Sequence, residues 1–129
     1  MSKLSSEEAA QLSAYLSEIT NHTDLDAIGL VSREGMRLAF SAVEGYEIEP
    51  DLFAAMTAVI LQAGHDSVMK LGFDKLLEVV LRGSASFMVV SSAGRFFVVG
   101  ASKNVKELAK IVAVFRFYAG KIGERYPEV

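Results

Sequence analysis

The chain has 129 residues, no cysteine, and 13 basic against 16 acidic side chains, for a formal net charge of −3. That length fits one domain, residues 1–129, able to bury roughly two thirds of its unfolded surface without a disulfide or structural metal. The missing cysteines exclude thiol catalysis, CxxC redox chemistry and cysteine zinc sites, and they fit a reducing, cytoplasmic setting. A pI near 5.4 argues against nucleic acid as the main partner. The apolar content of 51% lies at the upper edge for a soluble domain and suggests a buried interface.

In chain order, Ser5-Ser6-Glu7-Glu8 forms a capping box, with Ser5 as cap and Glu8 reaching back to its N–H. Leu12, Tyr15, Leu16 and Ile19 then make one narrow apolar stripe, predicting a first helix over Ser6–Thr20 that lies on a surface. Leu25–Ser32 reads as a strand, Arg33-Glu34-Gly35 as a tight turn and Met36–Val43 as the returning strand of a hairpin. In the second strand Met36, Leu38 and Phe40 alternate with Arg37, Ala39 and Ser41, which predicts one greasier face. The loop that follows carries Glu44, Glu47, Glu49 and Asp51.

Pro50–Gly72 reads as one long helix. Acidic residues crowd its start, where the helix dipole favours negative charge, and Pro50 suits a first-turn position. Gly72 can take the left-handed stop, with Phe73 folding back on Val68. From Leu52 to Leu61 the one polar side chain is Thr57. On a helical wheel Phe53, Met56, Ile60, Ala63 and Leu71 share one side, and Ala54, Ala58, Leu61, His65 and Met69 the other. A helix apolar all round must be covered all round. Gln62, His65, Asp66 and Lys70 interrupt the run well short of the ~18 apolar residues of a membrane span, so no membrane insertion is expected. A second copy of the chain is the economical cover, and small Ala54, Ala58 and Gly64 let two helices approach closely.

Three strands are predicted next, Leu76–Arg82, Ser86–Ser91 and Arg95–Ala101. The runs Phe87-Met88-Val89-Val90 and Phe96-Phe97-Val98-Val99 are apolar on both faces, as in strands with helices on each side. Asn104 is the expected cap of the last helix, with Glu107 three residues on and Leu108, Ile111, Val112, Phe115, Ala119 and Ile122 as its buried stripe. Lys103, Lys106 and Lys110 line one side of that helix, a solvated face or a site for an acidic partner. The order is α-β-β-α-β-β-β-α.

Two features resemble the Roadblock / dynein light-chain family: the hairpin VSREGMRLA at Val31–Ala39, and the alanine-rich helix followed by LGFDKLLEVVLRG, FMVV and FFVVG. The resemblance covers about Ser6–Ile122. It implies an α/β (α+β sandwich) fold, a five-stranded antiparallel sheet of order 2-1-5-4-3, with the middle helix on one face and the other two helices on the opposite face. It also implies dimerisation through the middle helix and the following strand, here Leu52–Leu71 and Leu76–Arg82. The expected interface is then Ala54, Ala58, Leu61, His65 and Met69 with Leu77, Val79 and Leu81. The family's usual work is to scaffold and regulate small Ras-like GTPases or to serve motor complexes. The chain looks like a free-standing, minimal version.

Sites of chemistry are few. There is no GxxxxGK[ST] phosphate loop and no GxGxxG after a strand, so no nucleotide cofactor is expected. His22-Thr23-Asp24-Leu25-Asp26 offers too few ligands for a metal and reads better as a helix-end loop. His65 beside Asp66 has no nucleophile in view and reads as a polar contact near a dimer axis. Ser84, Ser86, Ser91 and Ser92 lack the GxSxG context of a nucleophile and read as turn and strand-end serines. No catalytic residue, cofactor or metal is expected. Two readings of function stand: a non-enzymatic homodimeric scaffold that binds a small Ras-like GTPase, and a small-molecule-sensing domain of similar α/β/α architecture. Exposed candidates for partner contact are Arg33, Glu34 and Arg37 of the hairpin, and Lys103, Lys106 and Lys110.

Overall fold

A computed structural model describes residues 4–128. The elements run α1 (Ser6–Asn21), β1 (Ala27–Ser32), β2 (Arg37–Ala42), α2 (Pro50–Lys70), β3 (Glu78–Arg82), β4 (Phe87–Ala93), β5 (Phe96–Ser102) and α3 (Leu108–Arg125). The capping box forms: Ser5 Oγ accepts from the Glu8 N–H at 3.1 Å, and Glu8 Oε1 accepts from the Ser5 N–H at 2.9 Å. The strands build one antiparallel sheet of order β2-β1-β5-β4-β3. Their central member, β5, is buried along its whole length, as its two-faced apolar run requires.

Two cores flank the sheet. On one face α1 and α3 bury Leu12, Ile19, Ile111, Phe115 and Ile122 against Leu30, Val89 and Val98. On the other, α2 buries Phe53, Ala54 and Leu61 against Val31, Val90 and Val99. The Phe115 ring lies directly on the backbone of Gly100, where a Cβ would meet Cζ at 2.5 Å. Glycine at 100 therefore sets how closely α3 can approach β5.

The structure departs from the sequence reading at the start of α3 and within β2. Asn104 does not cap α3. Its N–H donates to Ser102 Oγ at 3.1 Å, and the Lys103 N–H donates to Asp26 Oδ2 at 2.7 Å, which ties these residues into a loop. The helix starts after Glu107, a residue at φ +48 with no side-chain cap. In β2 the predicted alternation breaks at a bulge. Leu30 pairs with Ala39 but Val31 pairs with Arg37, so Leu38 is the extra residue. Leu38 and Ala39 then pack on the α1/α3 side and Phe40 on the α2 side.

Candidate interaction surface

Local chemistry sets the ends of α2. Glu49 accepts from the N–H groups of Asp51 and Leu52 at 3.2 and 2.8 Å, and Pro50 follows at the first helical position. Gly72 takes φ +72, its N–H donates to the Met69 carbonyl at 3.2 Å, and the Phe73 N–H donates to the Val68 carbonyl at 2.8 Å. That is the two-bond glycine stop. The helix is long and apolar enough to cross a membrane by length and composition, yet here its inner side lies on the sheet.

Phe53, Thr57 and Leu61, spaced i, i+4 and i+8, face the sheet together with Ala54. The lone polar residue of the run is thus fully buried, because its hydroxyl donates to the Phe53 carbonyl at 2.8 Å within the helix. This corrects the expected interface. Ala54 and Leu61, 1% and 4% exposed, belong to the chain's own core and present nothing to a partner. Ala58 is half-covered by the β1–β2 turn, where a Cβ on Gly35 would come within 3.2 Å of it. Val79 is half-buried beside Gly64. His65, Met69, Leu77 and Leu81 remain exposed.

The outer side of α2 carries Leu52, Met56 and Val59, 59%, 44% and 58% exposed. Met69 and, past the helix end, Leu71 and Phe73 are exposed as well. So are Leu77 just before β3 and Leu81 on its α2 face, while exposed Val80 pairs with Val89 and so lies on the opposite, α1/α3 face. β3 is an edge strand, paired on one side to β4. Between the first half of α2 and the β3–β4 hairpin runs an open cleft of about 760 Å³, walled by Tyr46, Leu52, Met56, Leu81 and Met88. Sequence reasoning left Leu52, Met56 and Val59 out of the expected interface. The signal was their i, i+4, i+7 spacing, which an all-round apolar helix does not set apart from the stripe that meets its own sheet.

The charged candidates scatter. Arg37 Nε donates to Asp51 Oδ1 at 2.9 Å, joining the hairpin to the start of α2. Glu34 is exposed in the turn. Lys103, Lys106 and Lys110 form no helical row, because α3 begins only at Leu108. Lys103 instead places its Nζ 5.0 Å over the Tyr46 ring, and Lys110 lines a small cleft with His22, Asp24 and Glu107. Arg33 alone lies in a denser cluster. Its Nη2 meets Glu128 Oε1 at 2.6 Å and donates to Ser92 Oγ at 3.2 Å, while its guanidinium carbon stands 4.9 Å over the Phe97 ring. Lys75 Nζ reaches Glu128 Oε2 at 2.9 Å. The Lys75 hydrogen bond, helped by the charges of Arg33, Lys75 and His65, holds the Glu128 carboxyl below the usual carboxylate range. Ser91 is not a strand-end residue: it is buried inside β4, where its Oγ has no partner among the described residues. Among those residues, no three His, Asp or Glu side chains converge as metal ligands.

The sequence profile of Roadblock/LC7 domains matches residues 11–103. The chain belongs to the Roadblock/LC7 family. No curated protein matches it in sequence. Among solved structures it is similar to an MglB with a tetrameric arrangement (21% identity, 95% of this chain and 93% of that chain, TM-score 0.83). It is also similar to the gliding protein MglB of Thermus thermophilus (20% identity, 95% and 93% coverage, TM-score 0.83). A Roadblock/LC7 domain from Streptomyces avermitilis aligns at 14% identity over 84% of this chain and 92% of that one, with a TM-score of 0.72. At these identities the likeness is one of fold. The profile stops before α3, yet in this Roadblock/LC7 chain α3 supplies Phe115 and Ile122 to the core beneath β4 and β5.

Proposed function

We propose that the chain is a cytoplasmic, non-enzymatic homodimeric platform for a small Ras-like GTPase. The observation that carries the reading is the apolar outer side of α2, Leu52, Met56 and Val59, lying beside an edge strand that exposes Leu81, with exposed Leu77 just before it. Large exposed apolar patches mark interaction sites, and an unpaired strand edge is a template for another strand. A second copy related by a two-fold axis covers both at once, helix against helix and β3 against β3. The corrected interface is therefore Leu52, Met56, Val59, Met69, Leu77 and Leu81, with His65 at its margin. Family membership supplies the class of further partner. The tetrameric arrangement of a similar MglB is consistent with self-association in this fold.

The test has two stages. Light scattering after size exclusion gives twice the 14.0 kDa chain mass. The dimer is then titrated against small GTPases of the same organism, each loaded with GDP and then with a GTP analogue. A regulatory contact binds one of them in the micromolar range, about −8 kcal/mol. Binding to none in either state removes the GTPase reading and leaves the dimer. Calorimetry of the purified chain alone with GTP or ATP and magnesium shows no heat of binding, since no phosphate loop is present.

A second reading, a small-molecule sensor, is favoured by the 760 Å³ cleft, whose size suits an apolar ligand. In the dimer reading the partner's helix covers that same cleft. An apolar dye that binds a monomeric variant and not the parent chain supports the platform. Equal binding to both supports the sensor.

A further inference from the structure

A second cleft, of about 440 Å³, opens where the β1–β2 and β4–β5 turns meet the later half of α2. Its cationic groups come from three separate segments: Arg33 from the hairpin turn, His65 from α2, and Lys75 from the loop before β3. Its apolar wall is Leu61, Leu76 and Phe97. In a chain of net charge −3, two cations and an imidazole share one pocket, and the group between the cations is a carboxylate of the same chain, Glu128. The route by which Glu128 arrives is tightly built. Tyr126 is buried, its ring packs edge-on against Phe96, and its carbonyl accepts from the Arg95 N–H at 2.9 Å. Its carbonyl passes so close over Gly94 that a Cβ there would lie 2.0 Å away. Pro127 and Glu128 then cross the end of the sheet, from the α1/α3 side to the α2 side.

We propose that this cleft is a carboxylate-receptor site, filled in the free chain by Glu128 and taken over by an acidic side chain of a protein partner. Three features separate a receptor from a mere staple. Glu128 engages a single guanidinium nitrogen, Nη2, whereas the guanidinium fork can bind a carboxylate through two. The cleft keeps space beside Glu128 with an apolar wall, room for the stem of a larger ligand. The ion pairs are partly exposed, with side-chain accessibilities of 36% for Arg33, 42% for Glu128 and 66% for Lys75, so solvent screens them and a competitor can displace them. The latch is only two residues beyond its last buried anchor, so it can leave without disturbing the core. The site does not depend on the GTPase reading, and its test contains no GTPase.

The test uses the full chain and a fluorescently labelled acidic peptide bearing one Pro-Glu-Val sequence, with a Pro-Gln-Val peptide as control. Glu128→Gln removes the internal competitor. It binds the Glu peptide about fivefold more tightly than the parent chain, the factor expected when a weak exposed ion pair no longer occupies the site. Lys75→Met in the Glu128→Gln background loses that fivefold gain. Lys75 is a surface side chain whose hydrogen bond goes to Glu128, so circular dichroism of the variant is unchanged. Adding Arg33→Met abolishes what remains. The Gln peptide binds to none of the forms. Equal affinity of Glu128→Gln and the parent chain overturns the proposal, as does binding that survives both cation substitutions. Displacement by millimolar inorganic phosphate as effective as displacement by unlabelled Glu peptide also overturns it, since the pocket is then an unselective anion site.

Discussion

At position 94 a glycine is required twice over. Its φ is +64, where an L side chain is strained, and a Cβ would press within 2.0 Å of the Tyr126 carbonyl oxygen. Gly94→Ala should lower unfolding free energy by at least about 2 kcal/mol in a denaturant titration, from left-handed strain plus displacement of the tail. Gly120, exposed on α3 with open space around its Cβ position, behaves in the opposite way, and Gly120→Ala should stabilise by roughly 0.5–1 kcal/mol. Glu128 gives a second prediction at this scale. Its carboxyl is held low, chiefly by the Lys75 hydrogen bond and then by the charges of Arg33, Lys75 and His65. A depressed acid contributes stability above its unfolded value and loses it as pH falls through the folded one. An NMR titration should place the Glu128 midpoint below the ordinary ~4.3 for glutamate, and Lys75→Met should raise it. Two local devices were legible in the sequence, the Ser5–Glu8 box and the Gly72 stop. Arg33 with Glu128 was not, because nothing local links a hairpin turn to a tail that must first pass Gly94.

Among the elements, α3 separates core from surface most sharply. Phe115 is fully buried on Gly100, while Phe117, two residues on, is 56% exposed with Lys121 Nζ 5.0 Å over its ring. Phe115→Ala should cost about 3–5 kcal/mol, whereas Phe117→Ala should stay within roughly 0.5 kcal/mol of the parent. All eight elements and the two-faced character of β4 and β5 could be read from apolar runs, periodicity and the residues that end each element. The start of α3 could not, because Asp26 and Ser102 hold the N–H groups of Lys103 and Asn104 in a loop that delays the helix to Leu108. The face of α2 was misassigned because a helix apolar all round does not show which stripe meets its own sheet. Buried Thr57, whose hydroxyl bonds back to the Phe53 carbonyl, marks that stripe only in the structure.

For the whole molecule, the question is whether the outer side of α2 and the edge of β3 are covered together. Leu61→Glu is a poor probe, because Leu61 is 4% exposed within the chain's own core and a charge there should unfold the chain. Val59→Glu is the informative change. Val59 is 58% exposed on the outer side of the helix, so the isolated chain tolerates a carboxylate, whereas a two-fold interface would bury two of them facing one another. Light scattering should give a mass near 14.0 kDa for Val59→Glu and twice that for the parent, with matching far-UV spectra. Hydrogen exchange then tests the strand. If two β3 edges pair, the β3 amides that point away from β4 exchange slowly in the parent chain and quickly in Val59→Glu, while amides of β5 stay protected in both. Slow exchange of those outward amides in a monomeric Val59→Glu would assign their protection to something other than a second copy. A parent chain of single mass with fast outward amides would leave the apolar side of α2 uncovered by its own kind, and the 760 Å³ cleft beneath it open to a different occupant.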